Sequence, residues 1–359
     1  MRELSAVPDA RADIASLRAA GWQGRCVRDI APRPAKRPGR RCCRSRRPEE
    51  GTSMLILIGV RNGERFLGPQ LDSLRTSGVA SWTLWASDDG SSDGSLAMIQ
   101  RFASTLEDGP CSVVTRHGPQ QGFAANYLSM LADLPDVPGH VALADQDDIW
   151  LPKRLGRAVR MLNRLPSTVP AFVYGRRFDW GPKPGRMRPS RLPRGRACFA
   201  NALVENVAFG NTLVLNGAAA RIARQAAPLA NGIYSHDWWL YQLLTGAGAI
   251  SLMDREPSVL YRQHEGNAIG AQGSLADWTR RKIGVARGLY AERVQAQLNA
   301  LQSCSAFLTP ENQEILSLFI SARQAPWPRR VREMRRAGIF RQSLDGTVGF
   351  WGAVLLGRI

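Results

Sequence analysis

The chain of 359 residues is long enough to bury one large core or two ordinary ones. Its net charge of +18 is uneven: residues 1–53 hold 13 basic and 6 acidic side chains, residues 153–196 hold 13 and 1, residues 275–359 hold 13 and 6, and the rest nets −8. This argues against a nucleic-acid reader, whose basic charge should line its binding face, and suits a protein that holds a cation and meets anionic substrates or an anionic surface.

The six cysteines, at 26, 42, 43, 111, 198 and 304, form neither a zinc spacing nor a disulfide framework, so a reducing cytosol is expected. No signal peptide is readable, because charges interrupt the first 25 residues. The longest apolar candidate near the C-terminus, residues 346–357, is about half the roughly 20 residues that a spanning helix requires.

Residues 1–53 are rich in Arg and Pro and are expected to be a disordered tail. From residue 54 the pattern becomes regular. Residues 54–60 form a continuous apolar run of strand length, the kind found in a parallel sheet covered on both faces. Arg61-Asn62-Gly63 turns the chain, and Phe66, Leu67, Leu71 and Leu74 fall on one helical face. Residues 82–87 are a second strand ending in Asp88-Asp89-Gly90-Ser91-Ser92-Asp93, followed by a helix with Leu96, Ile99, Phe102 and Leu106 as its stripe. Residues 111–115 are a third strand, and Gly122 opens a helix with Phe123, Tyr127, Met130 and Leu131 on one face. Residues 140–144 are a fourth strand, which delivers Asp145-Gln146-Asp147-Asp148.

The alternation predicts an α/β sandwich around a mostly parallel sheet. Ligands bind such sheets at the carboxyl ends of the strands, and two strands here end in acids, at Asp88-Asp89 and at residues 145–148. Three carboxylates within four residues repel unless a cation or hydrogen bonds hold them. Oxygen-only ligands suit Mg2+ or Mn2+, whose shell substrate phosphates usually complete. A metal–diphosphate site is therefore expected. Taken alone, the acids also fit a solvated turn, or a cap from Asp148 on the helix near Pro152.

After that helix, residues 171–174 read as a strand, and residues 176–196, with four prolines among many arginines, as a long cationic loop. Residues 207–216 read as a strand with a bulge or close backbone approach at Gly210-Asn211. Ser235 is a candidate cap for a helix beginning His236-Asp237-Trp238-Trp239. Residues 249–253 and 258–262 read as two short strands; residues 287–301, 311–319 and 329–336 read as helices, the last strongly basic. The closing apolar segment, with Phe350 and Trp351, has the composition of an interfacial membrane contact and equally that of a segment packed back on the core.

Five segments carry a resemblance: Arg61-Asn62-Gly63-Glu64-Arg65-Phe66-Leu67, Ser87-Asp88-Asp89-Gly90-Ser91-Ser92-Asp93, Asp145-Gln146-Asp147-Asp148-Ile149-Trp150, His236-Asp237-Trp238-Trp239 and Tyr261-Arg262-Gln263-His264. In this order they resemble family 2 glycosyltransferases, and most of all the bacterial rhamnosyltransferase-like members that build surface polysaccharide. The resemblance covers roughly residues 54–270. It implies a GT-A-type Rossmann-like sandwich at 54–273, with a helical C-terminal region at 274–359 as an extension. It also implies an inverting transfer of one sugar, rhamnose from dTDP-rhamnose, to a glycan or lipid-linked acceptor.

The roles it implies are Asp237 as general base; Asn62, Asp88, Asp89 and Asp145 on the donor; Asp147, of the DXD motif, and His264 on a divalent cation, Mg2+ or Mn2+; and Trp238 and Trp239 as a platform for the acceptor sugar. The implied location is cytoplasmic, peripheral at the inner face of the bacterial plasma membrane. One departure is plain: relatives carry Thr or Ser and then an aromatic before Asn62-Gly63, where this chain has Val60 and Arg61. The Gln-x-x-Arg-Trp signature of processive members is absent, which favours single-sugar transfer. Two rival readings are a nucleotidyltransferase, which wants a Gly-rich basic loop after the first strand that is missing here, and a basic nucleic-acid-binding protein that depends on residues 1–53.

Overall fold

A computed structural model describes residues 54–359 except 108, 137–138, 181–186, 196 and 264–287. The tail at 1–53, Cys26, Cys42, Cys43, His264 and the expected boundary at 273/274 therefore lie outside the described residues.

The apolar run Met54–Val60 is β1, an interior strand of a nine-stranded sheet. It pairs in parallel with β2 (Trp82–Asp88) and with β4 (His140–Asp145), and β2 pairs in parallel with β3 (Cys111–His117). Side chains of β1 alternate between two cores, as the strand period dictates. Ile56 and Ile58 pack with Leu67 and Leu71 of α1 (Glu64–Leu74), Ile99 and Phe102 of α2 (Ser95–Ser104), and Leu155 of α4 (Arg154–Leu162). Leu57 points the other way, toward Met130 and Leu131 of α3 (Phe123–Ala132). Burial on both faces explains why these strands read as unbroken apolar runs.

Beyond β4 the order continues β8-β6-β9-β5, with β5 Ile149–Trp150, β6 Ala171–Trp180, β8 Val214–Leu215 and β9 Ile250–Arg262; β7 (Met187–Pro189) pairs with β6. The antiparallel pairings are two or three residues long, whereas β6 and β9 run parallel over nine paired residues. Mostly parallel pairing therefore holds for the sheet as a whole. Helices α5 (Phe199–Ala202), α6 (Gly217–Ala226) and α7 (His236–Gly246) cover the Leu57 face.

Three stretches differ from the sequence reading. Residues 207–216 are mainly a 3-10 turn at Gly210–Thr212, with only Val214–Leu215 as strand. The two short strands expected at 249–253 and 258–262 are the single β9, bent where its register against β6 shifts between Gly175 and Arg177. The loop expected to start at 176 instead continues β6 to Trp180.

The C-terminal helices α8 (Leu289–Ser303), α9 (Pro310–Gln324), α10 (Trp327–Arg336) and α11 (Leu344–Leu356) are not set apart from the sheet. Leu298, Phe319, Met334 and Val354 belong to the same core as Leu57. No described helix is long and apolar enough to cross a membrane.

Candidate active site

Register sets the site. Gly59 lies beside Asp145 and Val60 beside Asp88, so the carboxyl ends of β1, β2 and β4 share one rim. At that rim a cavity of about 480 Å³ is lined by Asn62, Asp89, Asp145, Asp147 and Asp237, together with Tyr127, His236 and Tyr261. Five of the nine residues singled out from the sequence thus meet in one cleft.

Asp237 enters from the first turn of α7. Its Oδ2 accepts from the Gly210 amide at 3.0 Å, and its Oδ1 accepts from the Trp238 amide at 2.7 Å and from the Ser235 hydroxyl. Ser235 occupies the N-cap position but makes no side-chain cap; it orients Asp237 instead. Gly210 permits the approach, because a Cβ there would lie 3.0 Å from His236 Nε2 and 3.3 Å from Asp237 Cβ.

Asp89 is gripped by the backbone, its Oδ1 accepting from Gln120 N at 2.7 Å and its Oδ2 from Gly122 N at 2.9 Å. Arg61 places its Nη1 3.9 Å from Asp89 Oδ2. Asn62 has φ of 47°, a conformation Asn tolerates better than most residues. Its Oδ1 accepts from Ser92 N at 2.8 Å, which ties the turn after β1 to the turn after β2. Gln146 braces the same turn from below: its Oε1 accepts from Arg61 N at 2.9 Å and its Nε2 donates to Arg61 O at 3.1 Å.

The acids of the tetrad separate. Asp145 and Asp147 face the cleft, and burial, then the charges of Asp147 and Asp237, push the Asp145 carboxyl up to about 7. Asp148 is fully buried, with its Oδ2 accepting from Asn211 Nδ2 at 2.5 Å and its Oδ1 from Arg262 N at 3.3 Å. Burial and the neighbouring carboxylates hold its carboxyl well above the ordinary range. It does not cap the following helix, which begins at Arg154. Arg154 is itself buried, stacked 3.8 Å over Trp150 and donating to Asn211 O at 2.6 Å, so its charge sits behind the acids.

Two corrections follow. Asp88 does not line the cleft; it is buried and accepts from Ser91 N at 3.2 and 3.3 Å, which closes its own turn. Trp238 and Trp239 are core side chains rather than a sugar platform, for α7 is buried all round and Trp238 Nε1 donates to Ala202 O at 2.6 Å. An aromatic face packed in the core has none left for a sugar. Among the described residues no group of three His, Cys, Asp or Glu forms a ready-made metal cage.

The sequence reading gave no role to two residues of the cleft wall. The Tyr127 hydroxyl donates to Ala144 O and accepts from Gly59 N at 3.2 Å, which locks α3 to the ends of β4 and β1. His236 stacks on Tyr127 with ring centres 3.8 Å apart, and neither ring nitrogen has a hydrogen-bond partner among the described residues. Burial pushes its pKa down to about 4, so the ring is neutral near pH 7. The available signal was polar tips on an otherwise apolar helical face, at Asn126-Tyr127, and a His beside the expected base.

Residues 55–220 match the family model described as glycosyl transferase family 2. The dTDP-rhamnosyl transferase RfbG of Shigella flexneri is 25% identical over 253 residues, 68% of this chain and 84% of that protein. Among solved structures, S. aureus TarS 1–349 in complex with UDP-GlcNAc is 13% identical, with a TM-score of 0.47, and the match covers 80% of this chain and 93% of that one. The mannosyltransferase PcManGT from Pyrobaculum calidifontis, in complex with GDP-Man and Mn2+, is 16% identical, with a TM-score of 0.45, over 97% and 96% of the two chains. Residues 55–220 of this chain thus carry a match to the glycosyl transferase family 2 domain.

Proposed function

We propose that the protein is an inverting, metal-dependent glycosyltransferase that moves one rhamnose from dTDP-rhamnose to a hydroxyl of a glycan or lipid-linked acceptor. The observation that carries this reading is the meeting of Asn62, Asp89, Asp145 and Asp147 with Asp237 in one cleft. The RfbG likeness supports the donor assignment.

Asn62 and Asp89, in the turns after β1 and β2, receive the nucleoside. Asp145 and Asp147 follow β4 in the same cleft. The charges of Asp147 and Asp237 help raise the Asp145 carboxyl, so this is a donor set short of positive charge, which fits a hard divalent ion completed by diphosphate oxygens. Asp147, with Asp145 beside it, would hold that ion, which neutralises the departing diphosphate.

Asp237 takes the proton of the acceptor hydroxyl while that oxygen attacks the anomeric carbon. The carbon–diphosphate bond breaks on the opposite face, so the configuration inverts. The hydrogen bonds to Gly210, Ser235 and Trp238 fix the carboxylate's orientation. They leave it acceptor capacity, since a carboxylate has about four lone-pair sites.

NMR of the product formed from dTDP-rhamnose and a model acceptor with Mn2+ tests this. The reading predicts a product of inverted anomeric configuration and loss of transfer with EDTA. A retained configuration, or equal rates with and without chelator, would refute it.

A further inference from the structure

The last two helices carry a surface that the cleft does not explain. On α11, Phe350, Ala353 and Val354 face the core. Leu344, Val348, Trp351 and Leu355 recur at spacings of four, three and four, which puts them on one outward stripe. Leu344, Val348 and Leu355 are 71%, 74% and 55% exposed, and the adjacent Leu356 is 77% exposed. Single exposed apolar side chains are ordinary, but a stripe along a whole helix marks a contact surface.

Cations border that stripe. Residues 327–358 hold seven arginines against Glu333 and Asp345, and Glu333 is taken by Arg329 at 2.6 Å. Arg332, Arg335, Arg336 and Arg358 are exposed. The Arg335 guanidinium lies 5.9 Å from the Trp351 ring, so the basic helix and the apolar stripe form one continuous surface. Trp327, 62% exposed, opens α10.

We propose that α10 and α11 form an interfacial docking site for an anionic lipid bilayer, with the α11 stripe among the acyl chains and the α10 arginines on headgroup phosphates. Apolar side chains with Trp beside a strongly basic helix are what such a contact requires. Charge argues against the other occupants. A second copy docked face to face would set arginine against arginine, and residues 1–53 carry an excess of basic charge themselves. The surface is read independently of the sugar chemistry.

Flotation of the full chain with vesicles of phosphatidylcholine, alone or with about one third phosphatidylglycerol, tests the proposal. The expected result is binding to the anionic vesicles only, weakened by salt. Arg332→Gln/Arg335→Gln/Arg336→Gln should lower the partition constant on the order of a hundredfold, given about tenfold or somewhat less per arginine. Val348→Asp/Leu355→Asp should abolish insertion while the melting temperature and donor hydrolysis stay at wild-type values. Because hydrolysis is read separately, vesicle binding can fail with the cleft intact, and the reverse. Equal binding to neutral vesicles, no binding at low salt, or an unaffected Asp double variant would overturn it. So would a concentration-dependent dimer that Val348→Asp/Leu355→Asp dissociates, which would assign the stripe to a second copy.

Discussion

The turn after β2 and the turn after β4 each end a parallel strand in adjacent acids, and each divides them between two tasks. In the first, Asp88 closes its own turn while Asp89 faces the cleft. In the second, Asp148 is buried against Asn211 and the Arg262 amide while Asp145 and Asp147 face the cleft. Neighbouring carboxylates of one motif therefore differ in what they hold, and the difference comes from partners far away in the chain.

The sharpest way to break this comparison is at Asp147 and Asp148. Asp147→Asn is expected to lower transfer on the order of a hundredfold or more with little change in melting temperature. Asp148→Ala strips a buried partner from Asn211 and should cost about 1–3 kcal/mol in stability, measured by denaturant unfolding. Equal effects of the two substitutions on both readouts would erase the distinction.

His236 sharpens the account through pH. Its ring has a pKa of about 4 in the fold against an ordinary 6.5, because burial disfavours the charged form. The unfolded chain therefore binds the extra proton first as pH falls. This group's contribution is whole above pH 6.5, is lost between 6.5 and 4, and levels off below. At about 1.4 kcal/mol per pKa unit, the loss is at most roughly 3 kcal/mol. The stability difference between wild type and His236→Phe, followed by urea unfolding from pH 7.5 to 4, should shift by that order in the variant's favour. A pH-independent difference would contradict the buried neutral ring.

At the first turn the effects are smaller. Asp89→Asn should raise the donor KM on the order of tenfold, the scale of one charge-assisted contact, and should also cost about 1–3 kcal/mol of stability, because its new amide N–H meets the backbone N–H of Gln120 or Gly122. Asp88→Asn should lower the melting temperature as well but leave KM near wild type. Smallest is Trp238→Phe, which removes the bond to Ala202 O and should cost about 1 kcal/mol of stability while changing the acceptor KM less than threefold. A large acceptor effect would restore the platform role.

The first four strands were legible because burial on both faces leaves unbroken apolar runs, and Asp89, Asp145 and Asp147 were legible because parallel strands carry their last residues to a common rim. What failed was local pattern where distant partners decide. Residues 207–216 look like a strand, yet the Gly210 amide is committed to Asp237 and the chain folds into a 3-10 turn. Trp238-Trp239 took the platform role from the family resemblance alone, and α7 instead threads the middle of the core. Tyr127 counted as an apolar stripe residue; only the fold shows its hydroxyl between Gly59 and Ala144.

The central claim, that one cleft both holds the metal–donor complex and presents Asp237 to the acceptor, is tested most directly by calorimetric titration of dTDP with and without Mn2+ into wild type, Asp147→Asn and Asp237→Asn, paired with transfer rates. The account predicts that Asp147→Asn loses the Mn2+-dependent gain in affinity, whereas Asp237→Asn binds like wild type and transfers on the order of a thousandfold more slowly. Wild-type transfer by Asp237→Asn, or undiminished Mn2+-dependent binding by Asp147→Asn, would contradict it.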